Sequence, residues 1–135
     1  MEFALAFPLL FLFFSGTFMF GYSFYIYNKL VGSVRAGARY ASQLPYSSGT
    51  TTPASDFTTA VRNMVVYQNP AGGTTPVVPG LQPSAVTVSA NFLDSRPDTI
   101  RVAISGYSIN AIVKSFTLSG RPFSVIRYQG RISGP

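Results

Sequence analysis

Cysteine and histidine are absent from the 135 residues, and carboxylates are scarce: four Asp and Glu stand against ten Lys and Arg. Without imidazole or thiolate the chain lacks the usual metal ligands, a histidine base and a cysteine nucleophile. No cofactor, metal site or enzymatic activity is therefore expected. The absence of cysteine also excludes a disulfide framework, so the fold must hold by packing alone. Only 10% of the residues are charged while 47% are hydrophobic, and the length suits one small domain.

The carboxylate deficit leaves a net charge of +6, of which +2 lies in residues 1–43 and +4 beyond. Such a surplus favours anionic lipid, polysaccharide or nucleic acid. Arg62, Arg96, Arg101, Lys114, Arg121, Arg127 and Arg131 are scattered along the chain, the distribution of solvated surface charge. Binding of nucleic acid is accordingly at most a secondary property, and steep salt dependence would mark it.

What the sequence has in abundance is one apolar run. Residues 3–28 carry no charge, and eleven of the twenty aromatics lie between Phe3 and Tyr27. As a helix those 26 residues measure about 39 Å, more than the roughly 30 Å of a bilayer's hydrocarbon. The run is too long for the apolar part of a signal peptide, and no Lys or Arg precedes it. Pro8 removes one helical hydrogen bond, which a lipid or helix-packed setting tolerates. Phe3, Phe7, Phe11, Phe14, Phe18 and Tyr25 recur at steps of three, four or seven and form one stripe; Phe13, Phe20, Phe24 and Tyr27 form a second. Bulky rings on two faces predict that other helices surround this one.

Past Asn28 an amphipathic pattern continues the helix: Val31, Val34, Ala38 and Ala41 share a face that Lys29, Arg35 and Arg39 avoid. Ser33, Gly37 and Ala41 make a ridge of small side chains on which another backbone can approach closely. The helix should end between Gln43 and Pro45. At its other end Glu2 must either meet a cation, such as the terminal amine of a neighbouring copy, or face water and complement the helix dipole. Because basic residues follow the span, the positive-inside rule places the carboxy-terminal portion in the cytoplasm unless a basic leader has been removed. A processed form, or a numbering from a late start, is expected.

Residues 46–55 read as a polar, exposed linker. Ser55 or Asp56 caps a short helix with Phe57, Val61, Met64 and Val65 on one face, stopped at Asn69 and Pro70. After a Pro- and Gly-rich loop the period changes to two. Val86, Val88, Ala90 and Phe92 form one strand and Ile100, Val102 and Ile104 another, joined through residues 94–98. Asp94 and Asp98 are better read as turn residues than as a catalytic or calcium-binding pair. Residues 107–116 suit a helix or a strand, with strand preferred, and residues 123–128 form a last strand. The expected architecture is α+β: a stalk helix over 1–43, a linker over 44–56, and a head over 57–135 in which an antiparallel sheet packs on the short helix, with the end of the stalk as a further packing surface.

The segment Glu2-Phe3-Ala4-Leu5-Ala6-Phe7-Pro8-Leu9-Leu10, the aromatic run through Gly21, and Gly37-Ala38-Arg39-Tyr40-Ala41-Ser42 resemble the amino-terminal module of TadE-like pseudopilins of the type IV filament superfamily. Residues 61–70 and 77–81 are also similar to longer members. The resemblance implies a prepilin peptidase that removes a basic leader, inner-membrane assembly machinery, and helices that bundle into a filament of like subunits. It makes the acid at Glu2 a register for incoming subunits, although the family's acid is usually fifth in the mature chain. Glu2, Phe3, Phe7, Pro8, Phe11, Phe14, Phe18, Tyr25, Ser33, Gly37 and Ala41 are the expected assembly residues. The expected course runs from inner membrane to extracellular filament, as main or minor initiating subunit. A single-span binding protein that never polymerises is the alternative.

Overall fold

The structure, a computed structural model, describes residues 2–110 and 115–130, and only the backbone at residues 2, 4 and 5. Its dominant element is helix α1, Glu2–Gln43, which runs without interruption through Pro8. Leu, Phe, Met and Ala supply most of the first half, and residues 9–25 contain no β-branched side chain except Thr17. That threonine's hydroxyl donates to the Phe13 carbonyl at 3.0 Å, which hides its polarity within the helix. Ser33 and Ser42 do the same toward Leu30 and Arg39.

The head wraps only the second half of α1. Ile26, Leu30, Val34, Ala38 and Ala41 are buried, spaced by four, four, four and three as one face of a helix requires. Helix α2, Ser55–Tyr67, lies against this face and buries Phe57, Val61, Val65 and Val66. Its first turn differs from the sequence expectation. Ala54 occupies the cap position, with no side-chain cap, and its carbonyl accepts both the Thr58 amide and the Thr58 hydroxyl at 3.0 Å. At the other end Gln68 turns into the left-handed region, φ 58°, and returns its N–H to Met64.

A short 3-10 turn, Pro83–Ala85, leads into the sheet. Strand β1 (Val86–Leu93) pairs antiparallel with β2 (Arg96–Ile104), which pairs antiparallel with β5 (Phe123–Arg127), giving the order β1-β2-β5. The β1–β2 connection is tighter than expected. Asp94 and Ser95, both at positive φ (51° and 62°), make a two-residue turn, and Arg96, Pro97 and Asp98 belong to β2. The register slips by one residue there, with Asn91 opposite Thr99 but Phe92 opposite Pro97, so the proline sits at a bulge where no ladder donor is needed. The ambiguous stretch 107–116 contributes two short strands, β3 (Ser108–Asn110) and β4 (Ser115–Thr117), paired in a separate small sheet. Residues 111–114, with the remainder of that expected strand, lie outside the described residues.

The core fills the space between α1 from Ile26 onward, α2 and the inner sheet face, where Val86, Ile100, Val102 and Ile104 are fully buried. The expected linker also contributes. Tyr46 is 2% exposed, and its ring meets Phe57, Phe92 and Tyr128 edge to face at 5.3, 5.7 and 6.1 Å. Its hydroxyl donates to Thr50 at 2.7 Å, so the start of the polar segment is a packed turn. The end of α1 is closed by the end of the sheet. Tyr128 donates to the Leu44 carbonyl at 2.7 Å and accepts the Tyr46 amide at 2.8 Å, while the Gln129 amide reaches the Ser42 carbonyl at 3.0 Å. Gly130 lies so close that a Cβ there would stand 2.6 Å from the Leu44 carbonyl oxygen.

Candidate assembly surface

Below Ile26 the helix is bare. Phe3 is 89% exposed, Phe18 74% and Phe20 76%, and Phe7, Phe11, Phe13, Phe14, Phe24 and Tyr25 are all more than half exposed. With roughly 200 Å² per aromatic ring, the thirteen large apolar side chains exposed between Phe3 and Tyr25 present on the order of 1,500 Å², well beyond the patch of a typical soluble monomer. By length and composition α1 can cross a membrane. The rings are partly ordered by their own helix: Phe14 stacks on Phe18 and Phe20 on Phe24, each pair with centroids 6.5 Å apart.

Two apolar notches interrupt this surface. One lies among Leu12, Phe13, Gly16, Thr17 and Phe20, the other among Phe13, Phe14, Thr17 and Phe18. Gly16 borders the first, and a Cβ there would meet nothing within 4 Å. Stripes of phenylalanine with recesses between them are the relief that knobs from neighbouring helices fill. The sequence reading omitted Leu12, Gly16 and Thr17. The signal available was the spacing 12, 16, 20, a glycine between two bulky residues each one helical step of four away.

Of the expected assembly residues, Phe3, Phe7, Pro8, Phe11, Phe14, Phe18 and Tyr25 lie on the bare half. The side chain of Glu2 lies outside the described residues. Ser33, Gly37 and Ala41 are placed differently from the other assembly candidates: they are buried within the chain. The backbone that approaches this ridge is α2, since a Cβ on Gly37 would collide with the Val65 side chain and stand 3.7 Å from the Val61 carbonyl.

Among the described residues the charged side chains form no competing centre. Arg62 donates to the Val86 carbonyl at 2.9 Å, Arg101 stacks over Phe123 at 4.5 Å, and Arg127 pairs with Asp98 at 3.5 Å. Asp94 stands apart in the β1–β2 turn, and Lys114 and Arg131 lie outside the described residues. Among the described residues there is no group of three or more acidic, His or Cys side chains that could hold a metal.

A bare apolar half-helix continuous with a head-dressed half is the anatomy that the family comparison addresses. A family model described as TadE-like protein matches residues 1–39. The chain carries a TadE-like amino-terminal module. The match spans the whole bare segment and ends before Ala41, so the TadE-like character belongs to the stalk. The head segments 61–70 and 77–81 lie beyond it. No curated protein and no solved structure matches the chain.

Proposed function

We propose that this TadE-like chain is a structural subunit of an extracellular pilus-like filament, held in the inner membrane until its stalk is transferred from lipid to the stalks of sister subunits. The observation that carries the reading is the division of α1. The head covers one face of the helix from Ile26 and leaves the rings from Phe3 to Tyr25 exposed. In the filament those rings pack on neighbouring helices, and the notch at Gly16 receives a side chain of the next subunit. Glu2 registers the incoming stalk, through a cation such as a neighbour's terminal amine. The prepilin peptidase and assembly machinery are partners inferred from the TadE-like character.

Electron microscopy of material sheared from cells, with mass spectrometry of the intact amino terminus, tests assembly and processing together. Filaments in which this chain is in great excess are expected. A preparation in which it is a trace constituent assigns it to a minor initiating role, and solitary chains whose rings meet only lipid or detergent end the filament reading. The Glu2→Ala variant should insert in the membrane but assemble poorly.

A further inference from the structure

The course of the chain sorts the head into two ends. Phe57 packs on Tyr46 beside the top of α1, whereas Val61 and Val65 lie against Gly37, so α2 descends toward the stalk. β1 climbs back until Phe92 meets Tyr46, β2 descends, and β5 climbs again to Tyr128 at the top. The connection 68–85 and the described residues 105–110 and 115–122 are therefore stalk-proximal. They are tied to each other by the Ser105 amide on Ala85 and the Tyr107 hydroxyl on Pro79, at 2.8 and 3.0 Å.

This sorting also segregates charge. Asp56 opens α2, Asp94 sits in the β1–β2 turn and Asp98 faces Arg127, all at the far end of the head. The proximal connections contain no carboxylate. They carry instead the exposed ring of Phe116 on β4 and the exposed Arg121, held near Ser105 by the Gly120 amide at 2.9 Å. On α1, the exposed Lys29 lies 5.0 Å over the ring of Tyr25. When residues 3–21 fill the hydrocarbon, at about 28 Å, Tyr22 and Tyr25 fall at the headgroups, the usual depth for tyrosine.

We infer that the stalk-proximal face of the head, around Tyr107, Phe116 and Arg121 and completed by Lys29, rests on anionic phospholipid headgroups while the subunit waits in the membrane. The inference rests on the membrane stage of the proposed function. A face with basic residues and no acids is complementary to an anionic leaflet, and it continues directly from a helix built to cross one. Contact there sets the depth and tilt at which the stalk is offered for assembly.

The chain has no tryptophan, so single replacements report locally. Full-length Phe14→Trp, Phe116→Trp and Leu93→Trp variants are reconstituted in vesicles of phosphatidylcholine with phosphatidylglycerol, carrying quenchers at the headgroup or deep in the acyl chains. Leu93 is exposed at the far end and serves as the distal reference. The expected result is deep quenching at position 14, headgroup quenching and a blue shift at 116, and neither at 93. Arg121→Glu combined with Lys29→Glu should abolish the signal at 116 and leave that at 14. Quenching at 14 with position 116 behaving like 93 overturns the contact and leaves the filament reading intact. Equal quenching at 116 in vesicles of phosphatidylcholine alone overturns the anionic preference. No quenching at 14 removes the membrane stage itself.

Discussion

The two halves of α1 share one continuous backbone and have opposite surroundings. From Ile26 onward, small and branched aliphatic side chains on one face are covered by α2 and the sheet, and the charged Lys29, Arg35 and Arg39 lie outside that face. Before Ile26 the described side chains are mostly apolar, and the large ones are exposed. The contrast separates two ways to satisfy a hydrophobic helix. The upper half is satisfied within the chain, by residues that fit a unique partner surface. The lower half carries rings too numerous for one partner to cover and requires a surrounding medium, which the proposed function supplies first as lipid and then as other stalks.

Substitutions should therefore fail differently in the two halves. The largest effect is expected for Phe14→Lys: a cation at mid-stalk costs about 3 kcal/mol of insertion and should abolish filaments, while the near-UV signal of the head tyrosines melts at an unchanged temperature in detergent. A head that melts early in this variant would merge the halves into one cooperative unit. Leu30→Ala is the mirror case. Its cavity should lower head stability by about 2–5 kcal/mol, seen as an earlier melt of the same signal, with membrane insertion unaffected. Gly37→Leu should cost about 1–3 kcal/mol through collision with the buried Val65, read as increased protease cleavage in α2. If Gly37→Leu left the head intact but blocked filaments, the ridge would belong to the intermolecular surface after all.

The smallest effect concerns alkaline pH. Burial raises the phenols of Tyr46, Tyr107 and Tyr128 above their ordinary value of 10.0. A folded state that holds these protons more tightly than the unfolded chain keeps its full advantage below pH 10.0 and loses it as pH rises through the raised values. Base titration in detergent should thus unfold the head above about pH 10 while the helicity of the stalk persists. Tyr128→Phe should narrow that pH dependence. It should also lower stability at neutral pH by about 1–3 kcal/mol, because the Leu44 carbonyl and Tyr46 amide lose their shared partner. Simultaneous loss of both helical halves in base would contradict the division.

Much of this division was legible in the order of residues. The length of α1, its end at Gln43, the period-two strands and the stripe from Phe3 to Tyr25 are local patterns, set by 3.6- and 2-residue periodicities within a short window. The strand preference at residues 108–110 was legible too, but the small separate sheet was not, because pairing depends on a partner elsewhere in the chain. Tyr46 read as part of a polar linker, since its neighbours are Ser, Gly and Thr. Its burial comes from Phe57, Phe92 and Tyr128, which are distant in sequence. The cap at Ala54 in place of Ser55 or Asp56 is likewise a matter of where the packed helix begins.

The order of residues by itself determined that the chain has a stalk able to cross a bilayer, a TadE-like start and a small head without disulfide or imidazole chemistry, because composition and short-range periodicity suffice for each. Only the tertiary structure decided which part of the stalk remains uncovered. Small residues at 33, 37 and 41 accept any closely approaching backbone, and whether that backbone is a neighbour's stalk or the chain's own α2 depends on how the loop through Tyr46 turns the chain back. The fold turned it back onto its own helix, and the uncovered part of the stalk ends at Ile26.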